Sequence, residues 1–239
     1  MKIGILECDE PLPHLRREFG TFSQMIAEPF ASVREGWAFP VYNLLQNQFP
    51  RDLGDCDGYI TTGSRYSVYD DLPWIRELET LTREADAREW PFCGICFGHQ
   101  MIANALGGRV ARSEKGWGVG VSVVDVQSER ARTLGLASWP DPMRLVVSHQ
   151  DQVLDLPDET EVLGGNQFCP NSMILRRRTM LGIQGHPEYL KAYSDALMRE
   201  RRERIGEPVF SQGQSSLKIP TDADSVFEAI AQFFEGTVS

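Results

Sequence analysis

The chain has 239 residues, 41% hydrophobic and 24% charged, an ordinary globular composition that excludes disordered and collagen-like chains. Its net charge of −10, from 34 acidic against 24 basic side chains, repels phosphate backbones and argues against nucleic-acid binding. No stretch reaches the roughly 20 apolar residues of a membrane span, and the five cysteines (Cys8, Cys56, Cys93, Cys96, Cys169) are scattered and odd in number, so they read as reduced thiols in a cytoplasmic protein.

Lys2–Cys8 (KIGILEC) predicts a first strand; acids follow its apolar run, and it has no signal-peptide cleavage site. Gly58–Thr62 (GYITT) predicts a later strand, ending at Gly63-Ser64. A helix follows, with Asp71 as its cap, Pro73 in its first turn, and Ile75, Leu78, Leu81 and Ala85 on one face. Trp90–Cys96 (WPFCGIC) reads as a buried strand running into a helix over Gly98–Leu106, which Gly107-Gly108 ends.

Beyond it, Val119–Val126, Met143–Ser148, Thr160–Gly164, Ser172–Leu175 and Met180–Gln184 are short strand candidates, the more antiparallel part of one mixed sheet. Glu188–Arg204 predicts a helix; within it Arg199–Arg204 (RERRER) mixes both charges at helical spacing and reads as a solvated face, not a nucleic-acid patch. Gly206–Pro220 reads as a loop and Asp222–Phe234 as a final helix. The alternation of strands and helices predicts an α/β fold of flavodoxin-like type, a three-layer sandwich around a mixed, mostly parallel sheet. One domain over residues 1–239 is expected, with the motifs in 2–189 and a helical extension over 190–239.

The sharpest local feature is Gly94-Ile95-Cys96-Phe97-Gly98, a G-x-C-x-G between a buried strand and a helix. Flanking glycines allow a sharp turn that lifts the middle side chain above the strand end, and the helix N-terminus favours negative charge on it. The plainer alternative is a core cysteine. Cys93 and Cys96 also form a C-x-x-C, which admits a redox pair; no second pair completes a zinc site.

A cysteine nucleophile needs a base, and the base an orienting group. Of His14, His99, His149 and His186, the last follows a strand candidate and has Glu188 two residues on. The backbone N–H groups of Phe97 and Gly63 are candidates for an oxyanion pocket, although spacing alone would make Gly63 only a turn residue. Neither G-x-x-x-x-G-K-[ST] nor G-x-G-x-x-G occurs, so no cofactor is implied.

These motifs resemble the triad-type (class I) glutamine amidotransferases. Gly94–Gln100 (GICFGHQ) is similar to their nucleophile motif, and His186-Pro187-Glu188 to their His-Pro-Glu element. Thr62-Gly63-Ser64 sits where that family keeps its oxyanion glycine. Val147–Val153 (VSHQDQV) resembles the Ser-His-Gly-Asp segment in the glutaminase half of GMP synthases, with Gln150 in place of the glycine. Gly185 stands where an aromatic residue often precedes the His-Pro-Glu element. Ser67–Asp71 and Lys115–Gly118 look like the stand-alone, GMP-synthase-like subgroup.

The resemblance implies that Cys96 attacks the glutamine side-chain amide to form a thioester, with His186 shuttling protons and Glu188 orienting it. Gly63 and Phe97 would hold the oxyanion, while Gln100 and the Ser148-His149-Gln150 backbone would bind the amino-acid end. Ammonia would pass to a separate synthetase subunit or to solvent; a homodimer is compatible. An alternative with the same triad is a γ-glutamyl peptidase, and a non-catalytic module is the third, opposed by the intact triad.

Overall fold

The computed structural model describes residues 1–136 and 139–237. Along the chain, β1 (Ile3–Glu7) is followed by α1 (Pro13–Phe19), α2 (Phe22–Val33), β2 (Val41–Asn43) and β3 (Gly58–Thr61). Then come α3 (Pro73–Ala87), β4 (Phe92–Ile95), α4 (Phe97–Ala105), β5 (Arg109–Arg112), β6 (Gly118–Val126) and α5 (Ser128–Thr133). Five more strands follow: β7 (Met143–His149), β8 (Asp151–Asp155), β9 (Thr160–Gly165), β10 (Met173–Arg176) and β11 (Met180–Ile183). The last helices are α6 (Lys191–Glu200), α7 (Arg202–Ile205), α8 (Glu207–Ser216) and α9 (Ala223–Thr237).

Nine strands form one sheet in the order β2-β1-β3-β4-β11-β10-β9-β6-β7, while β5 and β8 pair separately. The first five are parallel and the rest join antiparallel, so the expected mixed sheet has its parallel part in one continuous half. Parallel strands covered on both faces are apolar throughout, which is why IGILE is buried along its whole length. Ile3 and Ile5 pack toward Phe30 of α2 and Phe227 of α9, while Leu6 falls in the other core with Phe97 and Met101 of α4. These two apolar layers make the predicted three-layer sandwich.

Three expectations change. Leu72, not Asp71, precedes the first turn of α3, and Asp71 instead pairs with Arg76 on the surface. The helix expected over 188–204 begins at Lys191 and breaks at Arg201, giving α6 and α7. The expected loop over 206–220 is largely α8. Its weak helix formers are offset by packing on β6: a side chain at Gly213 would meet Val119 Cγ2 at 2.7 Å and Met198 Sδ at 2.9 Å. The Ser216 hydroxyl accepts from Val121 N–H at 2.8 Å and so fixes the end of α8 to β6.

Candidate active site

Cys96 stands between β4 and α4 with φ 49° and ψ −91°, a left-handed backbone conformation that a non-glycine residue seldom adopts. Its N–H donates to Ile183 O at 2.8 Å, tying the turn to the end of β11. The flanking glycines are needed because a Cβ at Gly94 would run into the backbone of Gly98, and one at Gly98 into Thr61. The sulfur accepts from Gln184 Nε2 at 3.4 Å, and the residue is only 5% exposed.

His186 follows β11, and its N–H donates to Val146 O at 2.8 Å. Its Nδ1 lies 2.7 Å from Glu188 Oε1, both side chains being buried. With Nδ1–H donating to the carboxylate, Nε2 is left to face the sulfur. Burial alone disfavours a charged ring. The Glu188 carboxylate, the Cys96 sulfur and hydrogen bonding to both outweigh it, lifting the His186 pKa to about 10. The Tyr189 ring lies flat on the imidazole, centroids 3.9 Å apart and planes 8° apart, and is backed by Phe22 and Tyr193.

Gly63, just past β3, touches both groups. A Cβ there would lie 2.6 Å from His186 Cε1 and 3.6 Å from Cys96 Cβ, so close approach requires glycine and the plain-turn alternative is not the whole account. Phe97 begins α4 immediately after Cys96.

An open cleft lies over Cys96, with Gln100, Ser148, His149 and Gln150 on its walls. Gln100 Nε2 donates to Asp151 O at 2.9 Å and to Gln184 Oε1 at 3.1 Å, linking the cleft wall to the residue that contacts the sulfur. Gln150 O accepts from Ser113 N–H at 2.9 Å. His149 Nδ1 lies 3.0 Å from Asp151 O; burial, with His186 nearby, holds its pKa down to about 4. Ser67 and Trp117, from the two subgroup-like segments, also line the cleft.

The remaining candidates lie elsewhere. His14 pairs with Glu200 on the surface, and His99 is in the core, where burial pushes its pKa to about 3. Cys93 is wholly buried within β4, and burial raises its pKa far above the ordinary thiol range. Gly185 has no room for the aromatic residue often found there, because a Cβ would already meet Leu145 at 2.9 Å. Among the described residues, no group of three or more His, Cys, Asp or Glu side chains is placed to hold a metal ion, and no helix is long and apolar enough to cross a membrane.

Three features escaped the sequence reading. Tyr189 directly follows the His-Pro-Glu element, but stacking leaves no spacing signature. Gln184 is two residues before His186 and carries no charge to mark it. Arg65, Arg112, Arg201 and Arg204 line the cleft, and the RERRER run was the one available signal for two of them.

The glutamine amidotransferase class-I family matches residues 19–201. The gamma-glutamyl peptidase 3 of Arabidopsis thaliana is 29% identical over 189 residues, 77% of this chain and 74% of that protein. A glutamine amidotransferase-like protein of Schizosaccharomyces pombe is 27% identical over 97% of each chain. Among solved structures, a glutamine amidotransferase of Methylobacillus flagellatus superposes with a TM-score of 0.78 at 20% identity, covering 98% of this chain and 94% of that one.

Proposed function

The chain belongs to the class-I glutamine amidotransferase family, and from that premise we propose that it hydrolyses the glutamine side-chain amide through a thioester on Cys96. His186 Nε2 takes the Cys96 proton, and the thiolate attacks the amide carbon, forming the S–C bond and moving an electron pair onto oxygen. Backbone N–H groups of Gly63 and Phe97 stabilise that oxyanion. Protonated His186 gives its Nε2 proton to the departing nitrogen as the C–N bond breaks, and ammonia leaves. The imidazole then takes a proton from water as the water attacks the thioester carbon, and returns it to the sulfur as the S–C bond breaks, releasing glutamate and the thiol.

The observation that carries this reading is the contact set around Gly63: imidazole on one side, Cys96 on the other, and Glu188 holding the far ring nitrogen at 2.7 Å. Glu188 keeps the tautomer and angle that direct Nε2 at the sulfur, as the buried acid does in other triads. Gln100 and the Ser148–Gln150 segment stand where the amino-acid end of the substrate would lie. A synthetase subunit that consumes ammonia is the partner this chemistry implies, and the cytoplasm its setting.

A second substrate uses the same steps. The likeness to a gamma-glutamyl peptidase favours a γ-glutamyl peptide, in which the leaving nitrogen belongs to an amino acid or peptide rather than to ammonia. The test is ammonia release from L-glutamine, and glutamate release from γ-glutamylglycine, by the purified chain with Cys96→Ala as blank. Release of either product that vanishes in Cys96→Ala is expected. Undiminished release by Cys96→Ala would remove the nucleophile, and with it the proposal.

A further inference from the structure

In a molecule of net charge −10, the cleft over Cys96 gathers four guanidinium groups, Arg65, Arg112, Arg201 and Arg204, against one carboxylate, Asp151. Among the described residues, most arginines elsewhere hold a carboxylate, Arg17, Arg51, Arg132 and Arg178 being the exceptions, but those four are scattered and none lines the cleft. Arg34 holds Glu228 and Glu235, and Arg88 holds Glu84 and Asp52. Within the RERRER run, Arg199 pairs with Asp195 and Arg202 with Glu207, both outside the cleft lining. Arg201 and Arg204, one helical turn apart, face the cleft instead.

Local partners account for only part of the cleft charge. Arg65 is clamped by Asp9 through Nε, 2.8 Å to Oδ1. The Asp151 carboxylate is already engaged by Ser67 Oγ at 2.6 Å and Tyr69 Oη at 3.0 Å. Among the described residues, Arg112, Arg201 and Arg204 have no carboxylate within ion-pair distance. Arg201 Nη1 donates to Ser148 Oγ at 3.1 Å, and the Arg204 guanidinium lies over Trp117, 5.5 Å from the ring centroid. Arg112 ends β5 opposite Asp151 of β8, and both it and Arg204 line the same cleft.

Clustered like charges that ignore nearby acids are poised for an external anion, and guanidinium groups match a carboxylate in geometry as well as charge. Glutamine carries a single carboxylate, for which Arg201 beside Ser148 suffices. Two arginines remain. We propose that the cleft selects γ-glutamyl compounds whose leaving amine bears its own carboxylate, as in a γ-glutamyl dipeptide or tripeptide, with Arg112 and Arg204 binding that second carboxylate. The proposal builds on the Cys96 reading and names the substrate of the same site.

Binding separates the two. In the Cys96→Ala chain, calorimetry would compare γ-glutamylglycine with γ-glutamylglycinamide, which differ only in the terminal carboxylate, and repeat both with Arg112→Gln and Arg204→Gln added. The acid is expected to bind about tenfold more tightly than the amide, and the added substitutions to bring the ratio near one. Equal affinity for acid and amide before those substitutions, or an unchanged ratio after them, would overturn the assignment. Turnover by the chain with Cys96 intact is scored apart. If the acid preference is present but nothing is hydrolysed, the catalytic reading fails while the arginine assignment stands; if both compounds are hydrolysed and bind alike, the reverse holds.

Discussion

Cys96, Gly63 and His186 stand at the ends of β4, β3 and β11, three neighbouring strands in the parallel half of the sheet. Ser148 and His149 come from β7 at the far edge of the antiparallel half, and Arg201 and Arg204 from the broken helix beside it. The first group is fixed by backbone: Cys96 N–H on Ile183 O, His186 N–H on Val146 O, and glycines that admit nothing larger. In the second, Ser148 and His149 lie in the β6–β7 ladder, while Arg201 and Arg204 are held only by side-chain contacts at a partly exposed rim. The contrast separates the proposed bond-breaking centre, which tolerates little displacement, from the proposed recognition wall, which can vary without disturbing it.

Breaking the first region should have the larger effects. Glu188→Gln keeps shape and removes the carboxylate that sets the His186 tautomer, so kcat should fall about 10³-fold. The same change has a pH signature. Because His186 is raised to about 10 in the fold, its contribution to stability is complete below about 6.5, the ordinary histidine value, and disappears as pH climbs from there to about 10. Thermal melts across that interval should fall in the parent and be flatter in Glu188→Gln; identical slopes would show that the carboxylate does not hold the proton. Gly63→Ala forces a methyl to within 2.6 Å of His186 Cε1, and displacing the ring should cost about 10²-fold in kcat. Unchanged kinetics in that variant would mean the pocket is looser than its contacts indicate.

Changes away from both regions should register in stability rather than in turnover or binding. Gly213→Leu pushes α8 off Val119 and Met198, an overpacking expected to cost about 1–3 kcal/mol in urea unfolding. The smallest effect belongs to Asp71→Ala. Its pair with Arg76 is exposed, so the loss should stay within about 0.5 kcal/mol; a helix cap would have cost about 1 kcal/mol.

The same division decided what could be read in advance. The elbow, the proposed triad and Gly63 are short motifs because the parallel strands bring their ends together in fixed register, and the glycines record contacts too close for a side chain. Five of the six strands from Val119 to Gln184 were equally visible, since buried strands leave apolar runs, whereas β8 over Asp151–Asp155 carries polar ends and was not read as a strand. α8 was hidden because GEPVFSQGQSS has loop composition and becomes helical only where Gly213 meets Val119. Arg201 and Arg204 were seen as charges, but their direction depends on a helix break that periodicity does not encode. Tyr189 was missed because its role rests on a stacking geometry, with no residue spacing to announce it.

The central claim, that Cys96 is the nucleophile for γ-glutamyl amides, is tested most directly by a γ-diazoketone analogue of glutamine, which alkylates an attacking nucleophile irreversibly. The purified chain would be treated with it and the modified residue located by peptide mass mapping. One label per chain on Cys96, blocked by excess substrate, is the predicted result. Labelling of Cys93 or another cysteine in its place, or no substrate-protected label at all, would contradict the account.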